Sequence, residues 1–249
     1  MPDLFTAHAD AWAVLSGGRP GGAVARFPGV RAACSGTPAP QDNGADVVDP
    51  ALADPQEVAA WFARRGTPWA WRVREGSGWG GELIVAQRLA QVDAAAFRPA
   101  GLPPGCTARV AGPADVEDLA AVDVAAFGGD RAAVRDRFAE LVRTPGVELV
   151  LVTGAAGPLA AAYTVASDLD AGPAVLLGGV GVVPAARRRG LGAGLSSWAL
   201  SRAFAAGARF AHLQPVDDAA ARVYARLGFT PGPGLEVRAP GGTGARPRP

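Results

Sequence analysis

The sequence predicts an α/β protein with mixed β-sheets, and three observations support this prediction. Strand-like and helix-like segments alternate along the 249 residues. An uncharged stretch, residues 149–167, is interrupted by a glycine- and proline-containing turn, which is typical of a β-hairpin. A further apolar strand ends at Pro184 and leads through a basic, glycine-containing loop into a helix-like segment.

A segment rich in proline and glycine, residues 99–105, divides the chain as a linker. We expect an N-terminal domain over residues 1–98, a C-terminal domain over residues 106–240 and a flexible tail over residues 241–249. The expected order in the C-terminal domain is strand, two helices, three strands, helix, strand, helix and strand. The last of these strands is Leu235–Arg238.

The N-terminal segment is expected to repeat the second half of this order. Three strands within residues 23–48 precede a helix over Pro55–Arg65 and a strand over Trp69–Arg74. We then expect a helix over Leu83–Gln91 and a final strand over Ala94–Phe97.

Composition excludes several classes of function. Hydrophobic residues make up 49% and charged residues 19% of the chain, as in a folded globular protein. The net charge of +1 gives no general attraction to nucleic acid or to an anionic membrane. We recognise no secretory signal, membrane-spanning stretch or metal-ligand spacing, so we expect a soluble cytoplasmic protein without a metal. The sequence is also compatible with a homodimer.

The basic loop after Pro184 has the character of an anion-binding site. A helix N-terminus presents free backbone N–H groups and a partial positive charge, which favour a phosphate. Gly190 and Gly192 allow the backbone to approach a ligand closely. The absence of lysine excludes a Walker loop, and the glycine spacing does not fit a dinucleotide-binding fingerprint. We therefore predict that this loop binds a phosphorylated cofactor.

Two motifs resemble those of the GNAT N-acetyltransferase superfamily. The first is Val-x-Val-x-Pro-x-x-Arg-x-x-Gly-x-Gly, from Val180 to Gly192. The second is Asp-x-x-Ala-x-x-x-Tyr-x-x-x-Gly-Phe, which begins at Asp217, where the family usually has asparagine. The N-terminal half resembles a decayed second copy, because an acidic turn, Asp49–Asp54, stands where its phosphate loop would be.

The resemblance implies a GNAT fold in the C-terminal domain and a smaller, degenerate GNAT-like N-terminal domain. It also implies that the acetyl group of acetyl-CoA passes to a primary amine acceptor by direct attack in a ternary complex. Tyr224 is implied to be the general acid that protonates the departing thiolate. The residues implied to bind acetyl-CoA are Val182, Val183, Arg187, Arg188, Arg189, Gly190, Leu191, Gly192 and Ala193.

Two of these assignments have structural alternatives. Tyr224 shares a helix face with apolar residues and is alternatively a core residue. Arg187 alternatively fixes the loop instead of contacting the ligand.

The general base is not identified by the sequence. Many relatives carry a glutamate on the strand before the phosphate loop, whereas here that strand has no carboxylate. A water chain is one alternative, and the remaining candidates, each of which also has a structural interpretation, are Asp123, Asp168, Asp170 and His212.

Two further functions are therefore kept as alternatives. The missing carboxylate favours a non-catalytic acetyl-CoA-binding or interaction protein. The second alternative is an acyltransferase for a larger acyl group, because Gly178, Gly179 and Gly181 would widen the acyl pocket. The acceptor itself is not identified.

Overall fold

The computed structural model describes residues 3–241, so the expected tail lies outside the described residues except for Gly241. Within this range six α-helices pack with two mixed β-sheets. The helices are α1 (Leu4–Gly17), α2 (Pro55–Ala63), α3 (Val116–Phe127), α4 (Arg131–Leu141), α5 (Leu191–Ala205) and α6 (Asp218–Arg226).

The strands fall into two groups along the chain. The first group is β1 (Ala23–Phe27), β2 (Val30–Cys34), β3 (Gly44–Val47), β4 (Ala70–Arg74), β5 (Leu83–Gln87) and β6 (Ala90–Asp93). The second group is β7 (Thr107–Ala111), β8 (Val147–Gly154), β9 (Gly157–Leu169), β10 (Gly172–Val182), β11 (Phe210–Leu213), β12 (Thr230–Pro231) and β13 (Leu235–Arg238).

The first sheet has the order β1-β2-β3-β4-β13-β5, and the second has the order β12-β6-β11-β10-β9-β8-β7. The second sheet is covered on both faces. Leu195 and Leu200 of α5 belong to the core on one face, and residues of α1, α3 and α4 to the core on the other. This layered arrangement confirms the predicted α/β class.

The two sheets share one pairing pattern. In the first sheet, β3 and β4 are parallel and are joined by α2. In the second sheet, β10 and β11 are parallel and are joined by α5. Two antiparallel pairings precede the parallel pair in the first sheet and three precede it in the second, and two follow it in each sheet. The N-terminal half is therefore a topological repeat of the C-terminal half.

The two halves also exchange a strand, which the sequence did not indicate. β6 lies between β11 and β12 of the second sheet, and β13 lies between β4 and β5 of the first. Leu235–Arg238 is thus a strand as predicted, but it completes the N-terminal sheet rather than the C-terminal one. The two sides of the 99–105 linker are interlocked, and the expected domain boundaries stay a prediction.

The predictions for residues 83–97 were wrong. Leu83–Gln91 is not a helix but contains β5 and the start of β6, and Ala94–Phe97 is a turn instead of a strand. The pairing partner of β5 is β13, about 150 residues downstream, and no local pattern reveals such a partner.

Contacts between the halves extend beyond the exchanged strands. Asp10 of α1 accepts a hydrogen bond from the N–H of Ala171, at 2.9 Å. Asp170, in the turn after β9, forms an ion pair with Arg26 of β1 at 2.8 Å and another with Arg31 of β2. None of the helices within residues 3–241 combines the length and the apolar character that crossing a membrane requires.

Candidate active site

The N-terminus of α5 leaves its first backbone N–H groups free. Gly190, the N-cap residue, has φ 83° and ψ 0°, a left-handed conformation that favours glycine, and it has no side chain to cap the helix. The first helical hydrogen bond runs from the N–H of Gly194 to the carbonyl of Gly190, at 3.0 Å. The amides of residues 188–193 have no acceptor among residues 3–241, and a Cβ at Gly190 would meet open space. This geometry fits a bound anion.

The three arginines of the loop have different surroundings. Arg187 donates from Nη2 to the carbonyl of Ala126 at 2.9 Å and from Nε to the carbonyl of Val182 at 3.2 Å. Its side chain therefore fastens the loop to α3 and to β10, which agrees with the alternative interpretation of this residue. Arg188 and Arg189 are exposed, and Arg188 has φ 60°, the sole positive value for a non-glycine residue in the described range.

β10 and β11 diverge next to this loop. Their parallel pairing covers Ala174 to Leu176 of β10 and does not continue towards Val182. On the other side, the N–H of Val183 donates to the carbonyl of Leu159, at 3.0 Å. Because successive residues of a strand point their backbone groups in opposite directions, Val182 faces the opening towards β11 and Val183 does not.

The second motif forms α6, which borders the same opening. Asp217 is the N-cap, and its Oδ1 accepts the N–H of Ala220 at 2.7 Å, a role that asparagine fills equally well. None of the side chains of α6 is fully buried, and the helix contacts α5, where Tyr224 lies close to Ser196. We call the region between the N-terminal half of α5, α6 and the diverging strands the groove.

Tyr224 of α6 is half-buried in this groove and makes an edge-to-face contact with Phe229, with ring centroids 5.7 Å apart. Burial raises the pKa of the Tyr224 phenol to about 12, and the hydroxyl of Ser196 on α5 opposes the shift. The Ser196 hydroxyl lies close to the phenol without meeting hydrogen-bond geometry. Tyr224 therefore keeps its proton throughout the neutral range and can act as a donor.

The glycines of β10 do not widen a pocket, contrary to the expectation. A Cβ at Gly178 would lie 2.4 Å from Cζ of Tyr163, and one at Gly179 would lie 2.8 Å from its Cε1. A Cβ at Gly181 would lie 3.0 Å from Cβ of Ala126 in α3. The strand bulges between Gly178 and Gly181, and the Tyr163 ring covers this bulge. The glycines therefore admit a ring and a helix rather than a longer acyl chain.

Of the candidate bases, Asp168 and Asp170 lie at the far end of β10. About eight residues separate Asp170 from the Gly178 bulge, which corresponds to roughly 25 Å of extended strand. Hydrogen bonds from Arg26 and then Arg31 also lower the pKa of Asp170. Asp123 is buried and forms an ion pair with Arg137 of α4, at 2.8 Å.

His212 of β11 is fully buried, and neither of its ring nitrogens has a hydrogen-bond partner among residues 3–241. Burial lowers the pKa of His212 to about 3, so the ring is neutral. Its ring centroid lies 6.0 Å from that of His8 in α1. None of the four candidates therefore has the surroundings of an efficient general base.

Sequence reasoning missed two residues, Tyr163, whose ring covers the β10 bulge, and Ser196, which lies close to Tyr224. The sequence did contain an indication of the Tyr163 contact, because the Gly178-Gly179 pair indicates that another group approaches the strand closely. It contained no such indication for Ser196, since a serine within an apolar helix is common. No group of three or more metal-ligating side chains was found among the described residues.

Comparison with protein families decides the identity of this region. The sequence model of the acetyltransferase (GNAT) family matches residues 127–229, which include β10, the loop, α5 and α6. The chain contains a GNAT acetyltransferase domain. No curated protein matched the sequence of this chain.

Solved GNAT structures share the fold over almost the whole chain. A GCN5-related N-acetyltransferase from Kribbella flavida is 23% identical with a TM-score of 0.71, over 97% of each chain. A tandem GNAT protein from the clavulanic acid biosynthesis pathway is 15% identical with a TM-score of 0.60, over 97% of this chain and 96% of that one. A GNAT-family acetyltransferase structure from Novosphingobium aromaticivorans is 19% identical with a TM-score of 0.58, over 92% and 96%. The predicted GNAT fold, including its tandem form, is confirmed.

Proposed function

We propose that this acetyltransferase uses acetyl-CoA and transfers the acetyl group to a primary amine by direct attack in a ternary complex. The observation that carries the proposal is the uncapped N-terminus of α5 beside two diverging strands. Free amides, a left-handed glycine and exposed arginines suit the pyrophosphate of a coenzyme A thioester.

In this proposal each part of the site has one task. The amides of residues 188–193 hold the pyrophosphate, and the side chains of Arg188 and Arg189 add positive charge. Arg187 keeps the loop in position through its two carbonyl contacts. The N–H of Val182 binds the pantetheine arm along the opening between β10 and β11, since its carbonyl accepts from Arg187, whereas the N–H of Val183 is already bonded to β9.

Holding the thioester and the amine together makes the attack effectively intramolecular. The amine nitrogen bonds to the thioester carbon, and the carbon–sulfur bond then breaks. Tyr224 donates its proton to the departing sulfur. Because its pKa is raised to about 12, the phenol keeps this proton up to about pH 11. The proton of the amine leaves through water, since no carboxylate stands on β10.

One rival function keeps a specific observation in its favour. The absence of a carboxylate on β10 also fits a protein that binds acetyl-CoA without turning it over. The alternative of a larger acyl group loses its basis, because Tyr163 and α3 fill the space beside the three glycines. The cytoplasmic location and the homodimer stay predictions.

The test is the release of free thiol from acetyl-CoA in the presence of a panel of primary amines. We expect turnover with at least one amine, and we expect Tyr224→Phe to lower kcat by about 10² while acetyl-CoA binding is retained. Tyr163→Phe is the matched control, because it removes the other tyrosine hydroxyl of the chain and keeps its ring over the bulge.

Wild-type activity should show no loss from Tyr224 ionisation below about pH 11, because the raised pKa preserves the neutral phenol. Equal kcat values for Tyr224→Phe and Tyr163→Phe would remove the acid role. Acetyl-CoA binding without any amine-dependent thiol release would favour the non-catalytic rival.

A further inference from the structure

A cavity of about 670 Å³ lies beside the strands that the two halves exchange. One wall is a face of α6, which includes Asp218, Ala221 and Tyr224. Residues 86–90, from the end of β5 to the start of β6, form another part of the lining, and Pro231 of β12 and two glycines before β13, Gly232 and Gly234, add to it. We call this space the exchange cavity. Both halves of the chain are needed to build it.

The size and the lining of the exchange cavity suit a small organic molecule. Ligand pockets commonly have volumes of about 300–1,000 Å³ and mostly apolar walls. Leu89, Ala221, Phe229 and Pro231 contribute apolar surface here. A molecule with an apolar body would therefore be bound mainly by burial of that body.

The lining carries two acidic side chains, Asp218 and Glu75, and two basic ones, Arg88 and Arg222. Arg88 forms an ion pair with Asp218, and the charge of Arg222 also lies near this carboxylate. Glu75 is the other acidic residue of the lining, and its carboxylate lies beside Gly234, where a Cβ would be 2.2 Å from Oε2. No ion pair to Glu75 was found within the described range. Glu75 is thus free to attract an ammonium group.

Tyr224 connects this cavity with the groove that we assign to acetyl-CoA. The residue lies close to Ser196 of α5 on one side and contributes to the cavity wall on the other. A molecule in the cavity would therefore lie next to the proton donor of the proposed reaction.

We propose that the exchange cavity binds the acceptor, and that the acceptor is a small molecule with an apolar body and an ammonium group. This inference rests on the proposed function, because it assigns the second substrate of the same site. The N-terminal half then has a definite role, since it supplies Glu75 and the β5–β6 part of the lining.

The test uses calorimetry to measure the binding of phenethylamine to the full chain. The chain is first saturated with coenzyme A. Ala221→Phe fills the cavity from the helix, and Ala219→Phe is the matched control, because it adds the same ring at an exposed position of α6 outside the lining. Glu75→Gln removes the charge. We expect the Kd of phenethylamine to rise at least about tenfold in Ala221→Phe and in Glu75→Gln, and to stay within about twofold in Ala219→Phe.

A second probe, 2-phenylethanol, has the same body without the ammonium group. It should bind more weakly than phenethylamine, and Glu75→Gln should leave its affinity unchanged. Absence of phenethylamine binding to the wild type, or an equal Kd in Ala221→Phe and Ala219→Phe, would overturn the cavity assignment. An unchanged Kd in Glu75→Gln would overturn the ammonium assignment. Failure of coenzyme A to bind would instead contradict the proposed function itself.

Discussion

The two crossover helices, α2 and α5, occupy equivalent places in the two sheets but begin in opposite ways. α2 follows the acidic turn, and its N-cap Asp54 accepts the N–H groups of Gln56 at 2.9 Å and Glu57 at 3.4 Å. Its first residue, Pro55, has no N–H to satisfy. α5 begins at Gly190, which has no side chain, and its first amides are left without a protein acceptor in the described range.

This difference separates a helix start that is capped by its own chain from one that we propose binds a ligand. The carboxylate of Asp54 already compensates the positive end of α2, and Glu57 adds further negative charge in its first turn. The start of α5 has no acidic residue in its first turn and is preceded by three arginines. The same topology therefore presents a positive helix start in one half and a neutralised one in the other, and we propose that only the first binds an anion.

The largest effect is expected from giving α5 the negative charge that α2 has. Gly190→Asp places a carboxylate where the pyrophosphate would bind, and Gly190→Asn is the neutral control of the same shape. We expect acetyl-CoA affinity to fall about 100-fold in the aspartate variant, which corresponds to about 2.7 kcal/mol, and about tenfold in the asparagine variant. Calorimetric titration measures both. Equal losses in the two variants would show that charge at this position is unimportant.

A smaller effect is expected from loosening the loop without changing its helix. Arg187→Gln removes the contacts to Ala126 and Val182, and Arg189→Gln removes one charge from the same loop without those contacts. Because the guanidinium is exposed, we expect the free energy of unfolding to fall by only about 1 kcal/mol in Arg187→Gln and to stay nearly constant in Arg189→Gln. Urea denaturation of the two variants provides the comparison. The same loss in both would mean that the two carbonyl contacts do not fix the loop.

The smallest effect on ligand binding is expected at α2. Asp54→Ala removes the cap and should lower the free energy of unfolding by about 1 kcal/mol, with acetyl-CoA affinity unchanged. Denaturation and calorimetry on the same preparation measure both quantities. A changed acetyl-CoA affinity at constant stability would show that α2 takes part in binding and would remove the contrast between the helices.

Much of this contrast could be predicted from the sequence, because local chemistry determines it. The acidic turn before α2 and the arginines and glycines before α5 are readable from neighbouring residues alone. The backbone of Val182 faces the groove and that of Val183 faces β9. This difference depends on how β10 pairs with β9, and the sequence alone does not determine that pairing.

Long-range pairing explains what the sequence could not predict. The local pattern of Leu83–Gln91 predicted a helix. The segment forms β5 instead, because it pairs with β13, which lies at the other end of the chain. The exchange of β6 and β13 was missed for the same reason, and with it the cavity that lies beside the exchanged strands. Tyr163 was missed because its contact with the Gly178-Gly179 bulge runs between strands and not along one.

The most direct test of the account is the number of acetyl-CoA molecules that one chain binds. Calorimetric titration of the full chain should give a stoichiometry of about one, and Gly190→Asp should abolish or strongly weaken that single event. Asp54→Ala should leave both the stoichiometry and the affinity as they are. A stoichiometry of about two, or binding to Gly190→Asp with wild-type affinity, would contradict the claim that the N-terminus of α5 alone holds the pyrophosphate.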